Sequence, residues 1–295
     1  MVKYIAPLVL IALLVVYGCY VQDVQINGVE YQKEMAIYCI LSTQHAPLIK
    51  IYSNFPASSQ SSSYDQLFIE NAKGLLFENG VVVDSVIHER LNNYNLARAT
   101  EIKPGHSYQI EISAPGFSKA RSEVVQVPGK LPNIEFSFDS TLCTQMLNYF
   151  IGCALTITLP TDLSSDLLFD FTPSPALGSS TFPEIIEAEG GGILCFETGY
   201  ENLRVIPQSC RQFEEIAYYL PYQRQESSGA METYEKYSIR YGSISPSYFE
   251  YIKNYREQFD YSFSILFEPV ITYSNFEGAS GFFGAINDTT IILEF

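Results

Sequence analysis

The sequence has no tryptophan, only three histidines, and charged residues amount to 17% of its 295 positions. An average soluble domain carries roughly 25% charge. With so little charge the chain reads as β-rich and exported rather than cytosolic and helical. Positive charge is the scarcer sign: 17 Lys and Arg stand against 33 Asp and Glu, a formal net charge of −16. An extended phosphate backbone would be repelled by such a chain, which excludes nucleic acid as a partner. Motifs that announce chemistry are missing too. There is no H-E-x-x-H, no G-x-S-x-G, no G-x-G-x-x-G or G-x-x-x-x-G-K-[ST], and no C-x-x-C. A recognisable zinc site, serine elbow or nucleotide loop is therefore not expected. No cofactor and no metal are expected, and the ligand, if the protein takes a small molecule, is not legible. What is present is apolar and aromatic: 47% hydrophobic residues, with 22 Tyr and 20 Phe, enough to bury a sizeable core.

The first residues read as an address. Lys3 gives a short positive start, and residues 5–16 are an apolar run broken only by Pro7. Twelve residues are too few to span a bilayer and suit a signal peptide. The run ends in Val16-Tyr17-Gly18-Cys19, which resembles the bacterial lipobox, in which the Cys is acylated and becomes the mature N-terminus. Residues 1–18 are thus expected to be removed, Cys19 to carry lipid, and residues 19–30 to form a tether. Two or three acyl chains, at about 0.8 kcal/mol per buried methylene, hold a protein stably on a membrane where one chain does not. The tether contains Asp23 as its acidic residue before Glu30, which leaves the periplasmic and cell-surface faces both open. No second apolar stretch of spanning length follows, so the remainder is expected to be soluble.

The mature chain is predicted to be mainly β. Residues 35–42 and 48–53 are short apolar, β-branched runs parted by His45-Ala46-Pro47, which predicts two adjacent strands. Asn79-Gly80 between two apolar runs is a strong hairpin signal. Residues 107–113 alternate, with Tyr108, Ile110 and Ile112 on one face. Strands at spacings of about ten residues predict an Ig-like β-sandwich over 31–130, closed by the turn-rich Pro128-Gly129-Lys130-Leu131-Pro132. A second β-rich domain with one or two short helices is predicted for 131–295. Gly190-Gly191-Gly192 leads into the strand-like Ile193-Leu194-Cys195-Phe196 and reads as a turn, not a phosphate loop. One helix is well marked: Ser245 caps it, Pro246 takes the first position, and Tyr248, Ile252, Tyr255 and Phe259 form a stripe that should pack on a sheet.

Cysteine usage fits an oxidising compartment. Apart from Cys19 there are five: Cys39, Cys143, Cys153, Cys195 and Cys210. Cys39 lies in a strand and reads as a buried thiol. Cys143 with Cys153, and Cys195 with Cys210, are the nearest pairs, each closing a loop worth about 3 kcal/mol in the chain-entropy model. Carboxylate pairs such as Asp166 with Asp170 and Glu214 with Glu215 read as solvated faces, unless folding sets them at a separation suited to acid–base work. Ten of the 22 tyrosines fall between Tyr218 and Tyr261, a density that suits a contact surface with part of it in the core.

Several stretches together resemble one family. The lipobox, the Pro104-Gly105-His106-Ser107-Tyr108-Gln109-Ile110-Glu111-Ile112 stretch and the exit Val125-Gln126-Val127-Pro128 are similar to lipoproteins of Bacteroidota in the domain-of-unknown-function family 4249. So are the strand at Tyr237-Ser238-Ile239 and the helix starting Ile244-Ser245-Pro246. The closing stretch Phe267-Glu268-Pro269-Val270, Tyr273-Ser274-Asn275-Phe276 and Glu277-Gly278-Ala279-Ser280-Gly281-Phe282-Phe283-Gly284 is the most specific match. Members are commonly encoded beside TonB-dependent outer-membrane receptors. The resemblance therefore implies a cell-envelope lipoprotein, anchored to the outer membrane, acting as an accessory or binding subunit of such a transporter, with no established activity; the lack of a catalytic constellation adds the expectation that it is not an enzyme. A structural or adhesive surface lipoprotein and an envelope hydrolase with an unrecognised site stay as alternatives. Tyr273, Asn275, Phe282 and Phe283 are the candidates for a partner surface. Glycines at 278, 281 and 284 permit a tight path that either presents both rings to a receptor or turns them into the core.

Overall fold

The computed structural model describes residues 33–54, 68–147, 150–160, 164–174, 186–187, 197–198, 203–208, 215–225, 231–233, 235–261 and 273–294. The signal peptide, Cys19 and the tether lie outside them, as do the serine-rich residues 58–63, the triple glycine, Cys195, Cys210 and residues 267–270.

The described chain is mainly β. In order its strands are β1 (Met35–Ser42), β2 (Leu48–Ser53), β3 (Lys73–Glu78), β4 (Val81–Arg90), β5 (Asn93–Leu96), β6 (Ser107–Ser113), β7 (Ala120–Ser122) and β8 (Val125–Gln126). They continue with β9 (Glu135–Leu147), β10 (Phe150–Thr158), β11 (Leu167–Ser174), β12 (Ile186–Glu187), β13 (Glu197–Thr198), β14 (Leu203–Ile206), β15 (Glu215–Gln225), β16 (Met231–Thr233) and β17 (Lys236–Ile244). Helix α1 (Pro246–Tyr261) follows, and β18 (Phe276–Glu277) and β19 (Ser280–Glu294) close the chain. No helix among the described residues is long and apolar enough to cross a membrane.

The local predictions meet their physical causes. The Asn-Gly turn joins β3 to β4 with both residues at positive φ, 50° and 83°, the geometry whose twist matches a hairpin. Along β6, Tyr108, Ile110 and Ile112 are buried and the residues between them are not. Ser245 caps α1: its carbonyl accepts from Phe249 N at 3.1 Å, and its own amide donates to Ala285 O at 2.8 Å, so the cap is fastened to β19. The helix stripe is rotated from the predicted one. Tyr248 and Ile252 are buried, but Tyr255 is 39% exposed, and Tyr251 takes the inward place by stacking on Phe282 at 3.8 Å.

Fourteen strands form one sheet in the order β13-β14-β11-β17-β19-β1-β2-β5-β4-β3-β6-β7-β18, with β8 also on β6. The second sheet is β12-β15-β10-β9, with β16 on β15. The described pairings are antiparallel except β1 with β19, where Ile37 faces Gly281 and Ser42 faces Ile286. Residues from Lys33 onward make one compact unit, yet they hold three cores. The first gathers Ile37, Leu41, Leu76, Tyr108, Ile110 and Val127 with Phe283 and Ala285. The second lies between the two sheets, with Leu155, Ile157 and Tyr218 against Phe169, Phe171 and Ile239. The third sits under α1, where Tyr248 and Ile252 meet Phe282 and Ile286.

β19 serves all three because side chains alternate along a strand. Phe282 and Ile286 face the helix, Phe283 and Ala285 face the first core, and further along Ile291 and Leu293 pack against the second. At about 3.3 Å per residue its fifteen residues are long enough to run past both neighbours. The disulfide Cys143–Cys153 joins directly opposed residues of β9 and β10, where register shifts interrupt the ladder. Non-reducing peptide mapping should recover this bridge and a Cys39 thiol that alkylates only after denaturation. Burial pushes that thiol's pKa up, away from the reactive thiolate. Alkylation of Cys143 or Cys153 in the folded, unreduced protein would contradict this.

Candidate functional site

The densest polar constellation in the described structure centres on Asp288, whose side chain is wholly buried. One carboxylate oxygen, Oδ1, accepts from Ser42 Oγ at 2.7 Å and from Thr43 Oγ1 at 3.4 Å. The other, Oδ2, accepts from Arg240 Nε at 2.5 Å and His45 Nδ1 at 2.9 Å. Thr43 Oγ1 also donates to Asn287 Oδ1, and the Asp288 amide donates back to Thr43 Oγ1. Burial opposes ionisation of Asp288, but the Arg240 charge and the hydrogen bonds from Ser42, Arg240 and His45 outweigh it. Its carboxyl is held below the ordinary carboxylate value.

Three elements bring these groups together. β19 carries Asp288, β17 carries Arg240, and the turn after β1 carries Thr43 and His45. That turn is fixed by Ser42 Oγ, which accepts the amides of Gln44 and His45 at 3.2 and 2.8 Å. Gly242 faces Asp288 across the ladder. A side chain there would strike the backbone of Asn287 and Asp288, so glycine lets β17 and β19 lie this close. On the far side Arg240 faces Asp170 of β11. Burial raises the Asp170 pKa, with Arg240 and Thr172 pulling against it. Tyr248 lies over this row, and burial raises its phenol to about 12.

Chemically, Asp288 and His45 have the relation of an orienting carboxylate to a base: Nδ1 is engaged and Nε2 is turned away from it. Ser42 does not complete a nucleophilic set. Its hydroxyl is spent on Asp288, and its 3.4 Å approach to His45 is to Nδ1, the nitrogen already occupied. The arrangement ties strands from opposite ends of the chain. The other histidines are likewise partnered. His106 Nδ1, Lys103 Nζ and Tyr108 Oη all meet Glu78 Oε1, at 2.7, 3.0 and 3.2 Å, and His88 Nε2 donates to Leu91 O at 2.9 Å. Among the described residues no three His, Cys, Asp or Glu side chains are grouped to hold a metal ion.

The residues singled out in the sequence fall differently. Phe282 and Phe283 are both fully buried and Asn275 is 3% exposed, which corrects their place as a partner surface. Phe282 is clamped by Tyr251 and Tyr248, and Phe283 fills the first core. Asn275 acts as a substitute strand residue: its Nδ2 donates to Phe283 O and its Oδ1 accepts from Phe283 N, both at 2.8 Å. Tyr273 is half-buried against the helix core. Phe283→Ser should therefore cost about 3–5 kcal/mol and yield a poorly folded product. A normally melting variant, by thermal denaturation, would refute the core assignment. Asp166 and Asp170 have separate partners, since Asp166 Oδ1 accepts from Gln208 N at 2.7 Å while Asp170 faces Arg240. Of the other carboxylate pair, Glu214 lies outside the described residues and Glu215 is exposed.

Among the partly exposed aromatic groups are four tyrosines in a row. Tyr52, Tyr38, Tyr251 and Tyr255 follow one another at ring separations of 6.3, 5.7 and 6.1 Å.

The family model described as Domain of unknown function (DUF4249) matches residues 21–292. The chain belongs to this family. No curated protein matches the sequence. Within the family-like closing stretch, Asn275, Gly278, Gly281, Phe282 and Phe283 all have packing or backbone roles. The Asp288 constellation was not legible, because Ser42, Thr43 and His45 stand 243 to 246 residues before it and no local spacing links them.

Proposed function

We propose that this protein is a cell-envelope lipoprotein, anchored to the outer membrane through Cys19, which serves as an accessory or binding subunit of a TonB-dependent transport system. The observation that carries the reading is the lipobox-like Val16-Tyr17-Gly18-Cys19, placed immediately before the family region that starts at residue 21. Stable anchoring follows from two or more acyl chains on that residue. The half-exposed tyrosine row supports a contact role, since tyrosine offers apolar area with a polar tip and is enriched where proteins meet.

The test is Cys19→Ala. The variant should stay as an unlipidated precursor that keeps residues 1–18, and it should incorporate no labelled fatty acid. Labelling equal to wild type would overturn the anchor. Purification of the wild type in mild detergent should bring down an outer-membrane receptor. Recovery of the lipidated protein by itself would favour the adhesive or hydrolytic readings.

A further inference from the structure

We infer that the N-terminal part of this chain cannot fold ahead of its C-terminus: the core built by residues 35–127 forms only together with β18 and β19, which close it. The inference rests on the topology and is independent of the lipoprotein reading. From β1 the large sheet runs through β2, β5, β4, β3, β6 and β7 to β18, and β18 turns at Gly278 into β19, which pairs with β1. The circuit of strands around the first core is thus completed by residues 276–286. Without them β1 and β7 would each present an open edge.

Four observations show how closely the segment is fitted. Phe283, Ala285 and Ala279 are buried members of the first core. Gly278 and Gly281 have φ of 78° and 118°, and a Cβ on either would strike the backbone of Lys119 or Ile37, so both flanks of the gap touch β18–β19 at glycine. The Asn275 carbonyl accepts from Glu123 N at 2.8 Å, and its side chain binds Phe283. The Asp288 constellation then locks the far end of β1.

This is strand complementation within one chain. Contacts separated by more than 240 residues bring loop-closure entropy that is repaid only when the core forms, so partial closure gains little. A chain still being made or exported therefore lacks its native N-terminal unit, which suits passage across a membrane unfolded.

Pulse-labelled hydrogen exchange during refolding of the full chain tests this. Amides of β1, β2 and β6 should gain protection together with those of β19, with half-times agreeing within about twofold, as one cooperative event requires. Phe283→Leu, which keeps an apolar side chain, should alter the protection rates of β1, β6 and β19 by a common factor. Protection of β1, β2 and β6 before β19, or a Phe283→Leu effect confined to β19, would overturn the inference.

Discussion

Asp288→Ala should destabilise the protein by about 2–4 kcal/mol at neutral pH. Breaking a wholly buried ion pair costs about 3–5 kcal/mol. Here Arg240 keeps 30% of its side chain in solvent and His45 44%, so water relieves part of the loss. Asp288→Asn should cost less, because an amide oxygen still accepts from Ser42 and Thr43. The pH dependence separates charge from packing. Asp288 is held below its ordinary value, so its stabilisation is present above the usual carboxylate range near about pH 4 and is lost as pH falls through the lowered folded value. Glu78 and Asp84 shift the same way: burial opposes the shift, and hydrogen bonds together with the Lys103 charge at Glu78 outweigh it. Asp170 runs opposite. Its folded value is raised, so stability falls as pH rises from the ordinary value to the raised one. Chemical denaturation against pH should show the gap between wild type and Asp288→Asn narrowing as the solution is acidified below pH 4. A gap independent of pH would mean that shape, not charge, is what Asp288 supplies.

Gly281→Val should abolish the folded protein. At φ of 118° only glycine is unstrained, and the new Cβ would enter the Ile37 backbone where β1 and β19 run side by side. Strain and clash together exceed about 4 kcal/mol, a large part of the 5–15 kcal/mol that holds a typical domain. The expected result is an insoluble or protease-sensitive product. Gly80→Ala provides the control, because Gly80 has positive φ but open space around it. That variant should lose about 1 kcal/mol from the left-handed turn and remain folded. If Gly281→Val melts no lower than Gly80→Ala, the close approach of β1 to β19 is wrong.

What the sequence determined by itself was local. Alternation along 107–113, Asn-Gly at 79–80, the His45-Ala46-Pro47 turn and the Ser245-Pro246 start each fix their element through the chain's own sterics and hydrogen bonding, and each stands where predicted. The Cys143–Cys153 pairing was legible for the same reason, its residues being ten apart in one hairpin. Family membership was readable because the closing stretch is contiguous. Only the tertiary structure decided which way Phe282 and Phe283 point, since alternation puts neighbouring rings on opposite faces and both faces here are covered. It also decided that Asn275 mends a strand instead of meeting a partner, and that Tyr251 displaces Tyr255 beneath the helix. The Asp288 constellation belonged wholly to the tertiary level. Four side chains, from β1, its turn and β17, meet on one carboxylate of β19 because the last strand returns to lie beside the first, and a pairing across more than 240 residues leaves no trace in local spacing.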